Sequence, residues 1–305
     1  MPEIIVIGSA NVDLLIPVKH QPRPGETILA QGLKRQSGGK GANQAVAAAR
    51  LGSVTRFIGC VGDDHEGTMI LNSLRSEGVN ISCIDILSGV PSGIAIVTVD
   101  ENAENSITVV PGANSKLQAS RVANHVQKYL DRDPIILMQA EIPHEVHGEV
   151  IKQVSAHQAV RFVLNLAPYM EIKPEILERC DPIVLNETEA EELCGSSVAD
   201  IDSAKSAARR LSERCRSVVI TLGSLGAVWA ERGGDFGYVP APAVESVVDS
   251  TGAGDAFVGA MVAALALGES LGDGVEDGVT AGSFSVTKFG AQTSYPTAEE
   301  LAKIS

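Results

Sequence analysis

Short, wholly apolar runs rich in β-branched residues recur along the chain, beginning with Ile4-Ile5-Val6-Ile7, and between them apolar positions return every three or four residues. A run without polar alternation suits a strand covered on both faces, and the 3.6-residue period suits a helix with one buried stripe. Strands are therefore expected at residues 3–8, 54–60, 134–139, 160–165, 182–185 and 217–222. Helices are expected at 41–51, 66–77, 119–130, 144–157, 187–194 and 202–214, with Gly52 and Gly78 as C-terminal caps. Strand–helix alternation of this kind predicts an α/β fold, a mostly parallel sheet flanked by helices. Beyond it, residues 226–230 and 236–240 read as a short antiparallel addition, and long helices follow at 253–268 and 274–288.

Two segments break the rhythm. Residues 13–36 hold two extended stretches around Pro17, Pro22 and Pro24, and residues 92–110 alternate from Ile94 to Val99, turn at Asp100–Asn105 and alternate again through Val109. They predict a small inserted β-sheet, placed as a lid over a site or as a dimer surface. With no internal repeat or low-complexity linker, residues 1–305 read as a single α/β domain carrying that lid.

The net charge of −14 argues against nucleic acid and membrane surfaces as partners, because both demand a cationic footprint. It leaves a nucleotide ligand open, since backbone N–H groups can supply local positive potential. Five scattered cysteines with no Cys-x-x-Cys fit a reduced, cytoplasmic setting. Neither a secretory signal nor a span long enough for a bilayer is expected.

The chemistry concentrates in a few loops. Asp249-Ser250-Thr251-Gly252-Ala253-Gly254-Asp255 precedes an apolar run, so a glycine turn opens a helix whose free N–H groups suit an anion, with Asp255 in the first turn. The dinucleotide fingerprint is excluded because Phe257 takes the third glycine position, and a Walker A loop because Lys34 and Gly41 stand where glycine and Ser or Thr belong. Asn11 and Asp13 at the end of the first strand, and Glu141 after another, suit a ligand covered in hydroxyls. Gly38-Gly39-Lys40-Gly41-Ala42-Asn43 offers a tight loop with two donors, Lys40 and Asn43. Asn186 and Glu189 read either as a capping box or as a pair that positions hydrated Mg²⁺ and phosphate. Thr221, Gly223, Ser224 and Gly226 follow a strand and suit a phosphate tail.

Taken in order, these segments resemble the PfkB family of sugar kinases, carried by GGKGANQAVAAARLG from Gly38, DSTGAGDAF at 249–257, NETE from Asn186 and KFGAQTS at 288–294. The resemblance implies a Rossmann-like domain whose β lid also clasps a homodimer, and ATP-dependent phosphorylation of the ribose 5-hydroxyl. It implies Asp255 as catalytic base in contact with the sugar, and Gly252, Ala253 and Gly254 as an anion hole. Asn11, Asp13, Gly39, Lys40, Asn43 and Glu141 match sugar-binding positions; Asn186, Glu189, Thr221, Gly223, Ser224, Gly226 and Gly254 match nucleotide or Mg²⁺-associated ones. A potassium ion is implied at Asp249, Thr251, Ser285, Lys288, Gly290 and Ser294, several through backbone carbonyls. The chain departs from the pattern at Val279, where the family often carries His or Asn beside the adenine, and looser nucleotide preference follows as an expectation. Two other readings stand beside this one: a kinase for 2-deoxyribose or a nucleoside, and a non-catalytic sugar sensor.

Overall fold

The computed structural model describes residues 2–101 and 105–304. Its first half runs β1 (Ile4–Ile7), β2 (Asn11–Pro17), β3 (Lys34–Gly38), α1 (Lys40–Arg50), β4 (Thr55–Gly62), α2 (His65–Ser76), β5 (Asn80–Leu87), β6 (Gly93–Val99), β7 (Asn105–Val110), α3 (Ala119–Val126), β8 (Ile135–Gln139) and α4 (His144–Ser155). The second runs β9 (Arg161–Asn165), α5 (Pro174–Arg179), β10 (Ile183–Leu185), α6 (Glu187–Cys194), α7 (Ile201–Ser212), β11 (Ser217–Thr221), β12 (Ala227–Glu231), β13 (Phe236–Val239), α8 (Ala253–Leu267), α9 (Leu271–Ser285) and α10 (Ala298–Leu301).

Nine strands form the main sheet in the order β13-β12-β11-β10-β9-β8-β1-β4-β5. All neighbours from β5 to β11 pair in parallel, and β12 and β13 complete the sheet antiparallel. The apolar β1 shows why its runs lack alternation: Ile5 and Ile7 enter the core on one face, Ile4 and Val6 the core on the other. Each fully buried side chain of this size contributes about 1.5–3 kcal/mol. One layer packs α3, α4 and α7 on the sheet, the other α1, α8 and α9. No helix among the described residues is long and apolar enough to cross a membrane.

The inserted sheet is present, four strands in the order β3-β2-β6-β7, with β2 and β6 parallel. Leu15, Ala95 and Val97 make its small core. Residues 102–104 of the expected Asp100–Asn105 turn lie outside the described residues.

Several boundaries correct the sequence reading. β1 stops at Ile7, so Asn11 and Asp13 sit not at its end but on β2, the first lid strand. β5 was not expected: it is an edge strand in which only Cys83 is buried, so no apolar run marks it. The short helices α5 and α10 were not expected either. The helix expected at 119–130 ends at Val126, and Leu130–Arg132 form a separate 3-10 turn. α9 begins at Leu271, not 274, because Ser270 and Asp273 form a capping box there.

Candidate active site

In a parallel sheet the loops at the strands' carboxyl ends gather at one edge. Here that edge brings together Gly8 after β1, Glu141 after β8, Asn165 at the end of β9, Asn186 after β10 and Thr221 at the end of β11. The N-terminus of α8 faces the same edge. Its N-cap, Gly252, has φ of 76°, and a Cβ there would stand 2.5 Å from Tyr295 Oη, so conformation and space both require glycine. The turn before it is pinned by Asp249: Oδ1 accepts from Thr251 N (2.9 Å) and Oγ1 (2.6 Å), and Oδ2 accepts from Gly290 N (2.9 Å).

Asp255 lies in the first turn of α8, 8% exposed. Asn43 Nδ2 donates to its Oδ2 (3.0 Å) and Gln44 Nε2 to its Oδ1 (2.9 Å). Burial raises its pKa, opposed by the Lys40 charge and the two amides. Burial also works against the Lys40 ammonium, but Asp255, Glu141 and Glu189 outweigh it and hold the group above its ordinary pKa. Lys40 opens α1 after Gly39, whose φ is 88°; a Cβ on Gly39 would come within 2.8 Å of Ala10 Cα, so α1 starts hard against the β1–β2 connection.

Toward the lid, Asp13 is pushed up to about 7 by burial and by the charges of Glu141 and Asp255. Asn11 Oδ1 accepts from Asn114 Nδ2 (2.8 Å), leaving the Asn11 Nδ2 as its free donor. Glu141 Oε2 accepts from Ser9 Oγ (2.6 Å) and Lys40 N (3.3 Å). Glu141 is thus anchored by the loops it touches, with Oε1 free of those bonds.

Two adjoining cavities open from the turn. The smaller, about 170 Å³, is lined by Lys40, Asn165, Asn186, Glu189, Thr221 and Gly252–Asp255. The larger, about 650 Å³, is lined by Thr221, Gly223, Ser224, Gly226, Ala243, Val244, Val247, Gly254, Phe257, Val279 and Val286. Its walls suit a flat apolar body, and Val279 stands in them. Asn186 and Glu189 form the capping box: Asn186 Oδ1 accepts from Glu189 N, and Glu189 Oε2 from Asn186 N. The capping-box reading is thus borne out, and the same two residues line the smaller cavity. Glu189 is raised by burial, with the Asn186 N–H and Lys40 working against it.

The residues matched to a cation site are brought together only in part. Val248 N donates to Val286 O (2.8 Å), so the 249–251 turn lies against the end of α9 near Ser285 and Gly290. The side chains of Ser285 and Ser294 bond locally, to Gly282 O and Ala291 O, and Lys288 Nζ turns away to Glu300 (3.0 Å). The Lys288 ammonium has no lone pair for a cation, whereas the two serine hydroxyls, as donors in these bonds, keep theirs. No group of three His, Cys, Asp or Glu side chains suited to a metal occurs among the described residues. Sequence reasoning missed Ser9, Gln44, Asn114 and Asn165. Gln44 sits inside the glycine-rich motif that begins at Gly38, and adjacency was its only signal.

The model of the pfkB family carbohydrate kinases matches residues 1–298. The chain is 40% identical over 299 residues to the ribokinase of Haemophilus influenzae, covering 97% of this chain and 96% of that one. It is 35% identical over 301 residues to the deoxyribokinase of Salmonella typhi, covering 98% and 97%. Among solved structures, Arabidopsis thaliana ribokinase complexed with ribose and ATP superposes with a TM-score of 0.90 at 30% identity, covering 99% of this chain and 98% of that one.

Proposed function

This chain belongs to the pfkB family of carbohydrate kinases, and we propose that it transfers the γ-phosphoryl group of ATP to the 5-hydroxyl of ribose. One observation carries the reading: Asp255 stands at a helix N-terminus between a polar cluster of Asn11, Asp13 and Glu141 and the two cavities that run toward Val279. A carboxylate so placed accepts the hydroxyl proton as the oxygen attacks phosphorus in line. The free N–H groups at Gly252–Gly254 stabilise the phosphoryl oxygens, and Lys40 adds a positive charge. Asn11, Asp13, Gly39, Asn43 and Glu141 hold the sugar; Thr221, Gly223, Ser224 and Gly226 hold the nucleotide.

Asn186 and Glu189 fit a magnesium ion held mainly through its water shell, because Glu189 Oε1 stays outside the capping box as an acceptor for metal-bound water. Magnesium bound with the nucleotide neutralises phosphate charge. The 249–251 turn and the 285–294 segment fit a potassium ion through carbonyl oxygens, supported by the way Asp249 ties them together. Such an ion orders the anion-binding turn. Val279 and the aliphatic walls around it support a base site that reads shape more than hydrogen-bonding pattern. The lid strands leave Ile96, Ile107, Val109 and Val110 exposed, which supports a homodimer through the lid. The five unpaired cysteines accord with a cytoplasmic enzyme.

Deoxyribokinase among the relatives raises 2-deoxyribose as a second acceptor. What favours ribose is the fixed Asn11 amide beside Asp13, a donor and an acceptor set for adjacent hydroxyls. A site built to bond a hydroxyl loses about 1–3 kcal/mol for each polar group left unpaired. We expect kcat/KM to favour ribose, and Asn11→Met to narrow that preference mainly by lowering efficiency on ribose. Equal use of both sugars by the wild type, or an unchanged ratio in the variant, would place the discrimination elsewhere.

A further inference from the structure

The mechanism leaves Gln44, Gln139 and Gln292, buried amides behind Asp255, unused. Gln44 is 0% exposed, so no ligand reaches it. Its Nε2 donates to Asp255 Oδ1 (2.9 Å) and to Asn165 Oδ1 (2.9 Å), and its Oε1 accepts from Gln139 Nε2 (2.7 Å). Gln139 is also 0% exposed. On the other side, Asn43 Nδ2 donates to Asp255 Oδ2, and Asn43 Oδ1 accepts from Gln292 Nε2 (3.0 Å). Gln292 Oε1 in turn accepts from Ser73 Oγ (3.1 Å).

The direction of these bonds is fixed by Asp255. An ionised carboxylate only accepts, so the Gln44 and Asn43 atoms facing it are nitrogen, and each amide oxygen points outward to a further donor. A flipped Gln44 would set its oxygen against the carboxylate and its nitrogen against the nitrogen of Gln139. Bond direction therefore admits one orientation of Gln44, while Gln139 Oε1, on the far side, is buried without a partner. Space is committed to it as well: a Cβ on Gly8 would collide with the Gln139 side chain.

We propose that Gln44, locked by Gln139 and Asn165, is a positioning residue that keeps the Asp255 carboxylate ionised and turned toward the acceptor hydroxyl. This rests on the reading of Asp255 as the base. The charged and titratable groups that also act on Asp255 come from other elements: Lys40 from the start of α1, Glu141 after β8, Asp13 on β2 and Tyr295 after α9. Of these, Lys40 favours the ionised form and the two carboxylates oppose it. Gln44 supplies a neutral donor that favours ionisation without adding charge to the sugar site.

The test is Gln44→Met, which keeps length and removes both polar atoms. The acid-side inflection of kcat is expected to move up by about one to two pH units, the loss of one hydrogen bond to a charged acceptor. The ribose dissociation constant, measured calorimetrically without nucleotide, is expected to stay at the wild-type value. A folded variant with the wild-type inflection, or one changed only in ribose affinity, would overturn the proposal. Should Gln44→Met not fold, Gln139→Met leaves Gln44 in place but unlocked, and a smaller shift in the same direction is expected; an unmoved inflection would count equally against it. Asp255→Asn separates the two claims. If it turns over normally, the base assignment fails; if it is inactive while Gln44→Met keeps the wild-type profile, only the role of Gln44 fails.

Discussion

Asp13 and Asp255 carry the same side chain, yet their surroundings divide the work between them. Asp255 accepts two amide donors and faces Lys40, which oppose the effect of burial. Asp13 is raised to about 7 by burial, then by Glu141 and Asp255. The native protein thus keeps that proton up to about pH 7, while the unfolded chain releases it near 3.8, so this group weakens the fold as pH rises through that window. A bound sugar that donates hydroxyls to the carboxylate favours the ionised form. The ribose KM should therefore be level above pH 7 and rise as pH falls below it, and Asp13→Asn should raise KM and abolish the inflection. A KM independent of pH between 5 and 8 in the wild type would contradict this. The residue types at the site were legible from short motifs. The direction of the Asn11 amide was not, because Asn114 sets it from 103 positions away.

At the scale of elements, the anion-binding turn is held by its neighbours rather than by its own sequence. Gly252 combines positive φ with a close approach to Tyr295 and Ala291, so Gly252→Ala must both strain the backbone and move a packed side chain. The backbone part alone costs about 1–2 kcal/mol. Displaced N–H donors should lower kcat by about 10²-fold, the scale of losing one such donor, and thermal unfolding should shift down by several degrees. An unchanged kcat would show that these N–H groups do not serve the reaction. Local rules made the capped helices readable: Asn186 and Glu189, three residues apart, form the box their spacing suggests. β5 escaped because an edge strand with one buried residue carries no apolar run. The lid strand β2 begins at Asn11, two residues before the expected segment, because Asn11 and Asp13 were read as the end of the first strand.

For the whole molecule, parallel-sheet topology explains how residues from Gly8 to Thr221 reach one edge, where the α8 N-terminus meets them; alternating runs already implied that architecture. The proposed dimer role of the inserted sheet, already expected from the sequence, gains support from its edge strand. Ile107 is 53% exposed and Val109 44% on β7, an edge strand with no partner on its far side among the described residues. Such apolar edges ordinarily seek cover. The wild type should sediment as a dimer and an Ile107→Lys, Val109→Lys variant as a monomer; a dimer that survives both changes would move the interface off the lid.

The central claim is phosphoryl transfer to ribose with Asp255 as base. Its most direct test follows ADP release on ATP with and without ribose, alongside recovery of the sugar product, in wild type and Asp255→Asn. The account predicts ribose-dependent ADP release matched mole for mole by ribose 5-phosphate in the wild type. It predicts a fall of roughly 10²–10⁴-fold in the variant. No ribose-dependent release by the wild type, or wild-type turnover in the folded variant, would contradict it.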